Sequence, residues 1–101
     1  MNNNKNSGSN EWERKVKKAR SIPIQAMCER LGIELTKKGE SGWYGSCPIC
    51  DDEGTNLHVS PEKGNSGLWY CFECSEGGDP LALYMETRKK SFPESVKALI
   101  N

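Results

Sequence analysis

Apolar residues recur along this chain at two different periods, and the change between them divides it into parts. Ile24, Met27, Cys28 and Leu31 fall at i, i+3, i+4 and i+7, which puts them on one face of a helix. Ser21 stands where an N-cap is expected, Pro23 suits the first turn, and Gly32 is placed to end the helix. Lys37 to Gly42 reads as a turn, and beyond it the period shortens. Trp43–Ser46, Leu57–Ser60 and Leu68–Phe72 are rich in aromatic and β-branched residues, lie between Gly, Asn and Pro clusters, and read as strands. Leu57 and Val59 alternate with His58 and Ser60, so one face of that strand turns to a core and the other to water. The helical period then returns. Gly77-Gly78 reads as a tight turn, Asp79 as an N-cap and Pro80 as the first helical residue, followed by an apolar stripe of Leu81, Tyr84 and Met85. Ser91 and Glu94 have capping-box spacing ahead of Val96, Leu99 and Ile100.

The first 20 residues follow neither pattern strongly. Residues 1–10 are mostly Asn, Ser and Gly, a composition that predicts disorder. Glu11 to Arg20 is highly charged, with Trp12 and Val16 one helical turn apart, and is expected to become helical on docking. The chain therefore reads as a basic arm over 1–20, disordered or helical, and one domain over 21–101.

Cysteine spacing changes the picture of that domain. Cys47 and Cys50 form one C-x2-C pair, Cys71 and Cys74 a second, with 20 residues between the pairs. Two cysteines separated by two residues grip the same ion when the backbone makes a knuckle, and four thiolates around one ion are the usual closed zinc site. The alternative of two disulfides needs an oxidising compartment, and the odd total of five cysteines speaks against it. Mononuclear iron is the inorganic alternative. A full set of protein ligands leaves no position for water, so the ion is expected to be one structural Zn2+ that contributes to folding. Cys28, on its apolar helical face, reads as a core residue and not a fifth ligand. His58, the only histidine, reads as an exposed strand residue that touches a partner and not as a replacement ligand.

Length and charge narrow the function. A chain of 101 residues buries little surface, which is where a metal staple is useful. The N-terminus has no apolar h-region and no stretch reaches membrane-spanning length, so a cytoplasmic protein without membrane contact is expected. Net charge is zero but unevenly spread: residues 1–40 carry nine Lys or Arg against five acids, and residues 41–101 carry five against nine. Phosphate contacts are thus expected from the basic arm and from Arg88-Lys89-Lys90.

From Ile22 onward the chain resembles the N-terminal zinc-binding domain of bacterial and phage DNA primases. The resemblance rests on the Ile22–Gly32 helix, Tyr44-Gly45-Ser46-Cys47-Pro48, Val59-Ser60-Pro61-Glu62-Lys63, Ser91-Phe92-Pro93-Glu94-Ser95-Val96 and, most of all, Trp69-Tyr70-Cys71-Phe72-Glu73-Cys74-Ser75-Glu76-Gly77-Gly78-Asp79. It departs from the pattern where Cys50 stands in place of the histidine usual in the cellular form. It departs again at Glu53, where a lysine is usual, and in a longer Lys63–Gly67 loop. The resemblance implies an α+β fold, a small zinc ribbon with a three- to four-stranded antiparallel sheet flanked by N- and C-terminal helices. It also implies a sheet presented to single-stranded template. Trp43, Tyr44, His58, Lys63 and Trp69 are the candidate DNA contacts, with Arg88, Lys89 and Lys90 as a phosphate strip. No P-loop or acidic metal-binding motif accompanies the cysteines, so the chain is expected not to be an enzyme. The expected role is an accessory subunit, of mobile-element origin, serving a separately encoded priming polymerase or replicative helicase in DNA replication. A protein–protein adaptor without intrinsic DNA binding is the alternative.

Overall fold

The computed structural model describes residues 3–37, 42–50 and 54–100, with side chains from Glu11 onward. Four helices, α1 (Asn3–Arg20), α2 (Ile24–Arg30), α3 (Pro80–Arg88) and α4 (Phe92–Ile100), accompany one sheet. Its strands are β1 (Thr36–Lys37), β2 (Trp43–Gly45), β3 (Leu57–Ser60), β4 (Leu68–Cys71) and β5 (Glu76–Gly78), antiparallel throughout and in sequence order.

The α+β class and the antiparallel ribbon are as expected, and the sheet has five strands where three to four are expected, with short strands at both edges. Lys37 pairs with Trp43 in β1 instead of opening a turn, and the rest of that expected turn, 38–41, lies outside the described residues. Gly77-Gly78 is likewise not a turn but strand β5, with Gly77 opposite Tyr70 and Gly78 opposite Trp69. A Cβ at Gly77 would stand 2.7 Å from the Trp69 carbonyl oxygen and 3.0 Å from Tyr70 Cδ1. Pairing this close, under a leaning ring, needs glycine.

Helix starts follow local chemistry. α2 begins at Ile24 with Pro23 as its N-cap residue, two positions later than Ser21 suggests. Ile22 precedes a proline, which disfavours helical backbone, and Pro23 is itself extended. Ser21 instead donates its hydroxyl to the Lys18 carbonyl at 2.7 Å and closes α1. At the other end of α2, Gly32 takes φ +78°, and the amides of Gly32 and Ile33 return to the Glu29 and Cys28 carbonyls, the Schellman pattern. α3 starts on Asp79, whose carboxylate accepts the Ala82 amide at 2.8 Å, with Pro80 in the first turn. α4 has the expected box: the Ser91 amide donates to Glu94 Oε1 and the Glu94 amide to Ser91 Oγ.

Two apolar clusters hold these elements. In the first, Ile24 and Cys28 of α2 and Leu83 of α3 pack on Leu57, Val59, Trp69 and Cys71, covering one face of the sheet. In the second, Ala19, Met27, Leu81, Tyr84, Val96 and Leu99 join the helices, and Trp12 and Val16 of α1 pack against them. Trp12 meets Phe92 edge-on at 6.3 Å, and the Arg20 guanidinium lies 5.5 Å from the same ring. The apolar side of α1 is therefore used within the chain's own fold. Of the segment expected to be disordered, residues 3–10 form the first turns of α1, and residues 1–2 lie outside the described residues.

Candidate metal centre and sheet face

Both cysteine pairs sit where the ribbon reverses direction. Cys47 and Cys50 follow β2, and Cys71 ends β4 while Cys74 lies in the turn into β5. The second knuckle is held by three bonds: the Cys74 amide donates to Cys71 Sγ at 3.4 Å, the Ser75 amide to the Cys71 carbonyl at 2.9 Å, and the Phe72 amide to the Asn56 carbonyl at 3.0 Å. Ser75 takes φ +56° to complete the turn.

All four sulfurs lie within 4.8 Å of one another. Cys47 Sγ is 3.9 Å from Cys74 Sγ, and Cys50 Sγ is 3.7 Å from Cys71 Sγ. Zn–S bonds of about 2.3 Å put the corners of a tetrahedron about 3.8 Å apart, so these separations fit zinc. Burial, and then hydrogen bonds from its neighbours, push the Cys50 thiol well up, and burial leads in raising Cys74 to about 11. At Cys71 burial also opposes ionisation, but the Cys74 amide and neighbouring thiols outweigh it and the pKa falls. A divalent cation resolves this competition by displacing the protons. Cys28 stays apart, fully buried among apolar side chains, its thiol raised to about 12 by that burial. It belongs to the core, as its helical position indicates.

The sheet's second face is composed differently. Cross-strand register puts Tyr44, His58 and Tyr70 in one row across β2, β3 and β4, opposite Gly77 on β5. Tyr44 and His58 ring centres are 4.7 Å apart, Phe72 stacks 6.3 Å from His58, and Tyr70 meets Phe72 edge-on at 5.2 Å. Tyr70 is 41% and Phe72 59% exposed, with Leu68 beside them at 38%, so the β4 side of this row faces water while Tyr44 and His58 are half-buried. A hollow of about 340 Å³ lies along it, walled by His58, Lys63, Leu68 and Tyr70 over Gly77.

The candidate DNA contacts divide on this geometry. Tyr44, His58 and Lys63 gather on or beside the open face. Trp69 borders the hollow too, but the residue is only 3% exposed and its indole N–H donates to the Asp79 carbonyl at 2.8 Å on the helix-covered face, so its ring is core. Trp43 shares that inner face with Val59, half-buried, with Lys37 Nζ 5.4 Å from its ring centre. Arg88, Lys89 and Lys90 are exposed at the corner between α3 and α4, away from the strands. Tyr70 and Phe72 belong to the row although neither is among the expected contacts. A strand's period of two signals them, because Cys71 as a buried ligand takes Trp69 inward and sends Tyr70 and Phe72 outward. Glu53 lies outside the described residues.

Comparison with known proteins accords with this site. The CHC2 zinc finger family matches residues 13–101. The chain is similar to the DNA primase of Streptomyces coelicolor, 33% identical over 79 residues, covering 78% of this chain and 12% of that protein. It is also similar to the DNA primase of Synechococcus elongatus, 41% identical over 64 residues, covering 63% of this chain and 9% of the other. A third relative is the DNA primase of Mycobacterium leprae, 36% identical over 84 residues and covering 75% and 13%. The chain thus spans between 9% and 13% of the length of these curated relatives. No helix among the described residues is long and apolar enough to cross a membrane. Four converging thiolates at zinc spacing, set in a small antiparallel ribbon, place this chain in the CHC2 zinc finger family, with Cys47, Cys50, Cys71 and Cys74 holding one structural zinc.

Proposed function

We propose that the chain is an accessory subunit in DNA priming, holding single-stranded template on the open face of its sheet while docked to a separately encoded polymerase or helicase. The observation that carries this reading is the row of Tyr44, His58, Tyr70 and Phe72, half-buried at Tyr44 and His58 and exposed at Tyr70 and Phe72. Bases stack on such rings irrespective of sequence, at about 1–3 kcal/mol per base. Zinc enters indirectly: the Cys71–Cys74 knuckle fixes Phe72 at the end of the row, so metal binding and template binding share one turn.

The test is titration of labelled single-stranded DNA with zinc-loaded protein over a salt series. Binding that weakens as salt rises, and that is lost in a Tyr70→Ala, Phe72→Ala double variant, is expected. A chain that binds no DNA even at low salt is an adaptor alone.

A further inference from the structure

The aromatic row offers stacking but little positive charge, and single-strand affinity depends on neutralising phosphates. Only Lys63 among the walls of the hollow is a cation, and Glu62 precedes it. We infer that a strand lying on the sheet leaves it across the β3–β4 loop and continues onto the basic C-terminal turns of α1. This inference rests on the sheet-face reading above and extends it to a second segment of the same strand.

The loop joins the two surfaces physically. Lys63 borders the hollow on the sheet, and three residues later Ser66 is pinned to the α1–α2 junction. Its hydroxyl donates to the Arg20 carbonyl at 2.6 Å, and its carbonyl accepts the Ile24 amide at 2.7 Å. Asn65 and Ser66 then share a second hollow, of about 440 Å³, with Lys17, Arg20 and Ser21. Polar loop groups and cations thus face each other across a gap just beyond the platform.

The helix supplies the charge. Arg14-Lys15-Val16-Lys17-Lys18-Ala19-Arg20 holds five cations and no acid, and Ala19 is buried and Val16 half-buried, so the cations line its outer side. Three features oppose an anion here. Arg20 already pairs with Asp79 at 2.8 Å, Glu13 lies one turn before Lys17, and a helix C-terminus carries roughly half a negative charge. Ser21 bonds one terminal carbonyl, and Arg14, Lys15, Lys17 and Lys18 exceed what remains. A solvated helix face is the ordinary role for such residues. Continuity with the aromatic hollow through one short, tethered loop is what favours the phosphate backbone as occupant.

The experiment compares oligothymidylates of about 4 and about 12 nucleotides on the zinc-loaded chain of residues 1–101. The variant is Lys17→Gln with Lys18→Gln, both exposed near the end of α1. The longer strand should bind with the steeper salt dependence. The variant should lower that slope by about 1.4, since each phosphate neutralised on a single strand contributes about 0.7, and leave the short strand's binding unchanged. An unchanged slope on the longer strand, with both strands still bound, overturns the path over α1 and spares the sheet platform. Failure of both strands to bind the parent overturns both. Loss of short-strand binding in the variant places α1 inside the primary site and contradicts a separate extension.

Discussion

The two faces of the sheet are built from alternate residues of the same strands, yet they serve different ends. Leu57, Val59, Trp69 and Cys71 point inward, where α2 and α3 cover them and where one of the zinc ligands sits. One residue along, His58, Tyr70 and Phe72 point outward and form, with Tyr44, a row of rings that is half-buried at Tyr44 and His58 and open to water at Tyr70 and Phe72. Side-chain size does not separate the faces, for Trp69 is larger than any ring of the outer row. Register does, and the metal helps to set the register. Cys71 has to reach the other sulfurs, which fixes its neighbours on either side.

The comparison can be broken most completely at its shared point. Cys71→Ser removes a thiolate from a site whose zinc binding is coupled to folding, worth about 10–16 kcal/mol in small zinc domains. The variant should lose its metal and its cooperative thermal transition, seen by metal analysis and circular dichroism. A retained transition contradicts a structural role for the ion. Next in size, Trp69→Ala should cost about 3–5 kcal/mol of stability in chemical denaturation, as large core truncations do. A cost below about 1 kcal/mol would mean that Trp69 is not core. The outer row should show the opposite split. Tyr70→Ala should leave stability within about 0.5 kcal/mol and weaken single-stranded DNA binding by about 1–3 kcal/mol. An equal loss of stability would dissolve the distinction between the faces.

The smallest effect lies away from the sheet and serves as a control for it. Hydrogen bonds from the Ser91 amide and hydroxyl hold the Glu94 carboxyl below the usual carboxylate range. A folded-state pKa below the unfolded one means that this contribution is present above the unfolded value. It is lost as pH falls through the folded value. Glu94→Gln should therefore lower the melting temperature slightly at neutral pH and match the parent in strong acid, without altering DNA binding. A difference that persists unchanged in acid contradicts the capping role.

Much of this was legible in the sequence because local chemistry decides it. The C-x2-C spacings specify the knuckles, Gly32 the end of α2, Asp79-Pro80 the start of α3 and Ser91 with Glu94 the start of α4. What stayed hidden depends on partners distant in sequence. β5 exists because the second knuckle returns Gly77 alongside Tyr70, and two glycines in isolation signal a turn more strongly than a strand. Ser21 carries the signature of an N-cap but closes the preceding helix, because Pro23 delays the next one. Trp69 is a stacking candidate as an aromatic residue of the sheet that the resemblance implies, whereas its burial follows from the phase that Cys71 imposes. The docking of α1 through Trp12, Val16 and Ala19 needed Phe92 and the α3–α4 pair to be known first.

The most direct test of the account is to follow side-chain NMR signals of the zinc-loaded chain as single-stranded DNA is added. The account predicts that the rings of Tyr44, His58, Tyr70 and Phe72 shift together, while Leu57, Val59 and Trp69 hold their positions. Shifts centred on Trp69 and the inner face, or none on the outer row while DNA is bound, would contradict it.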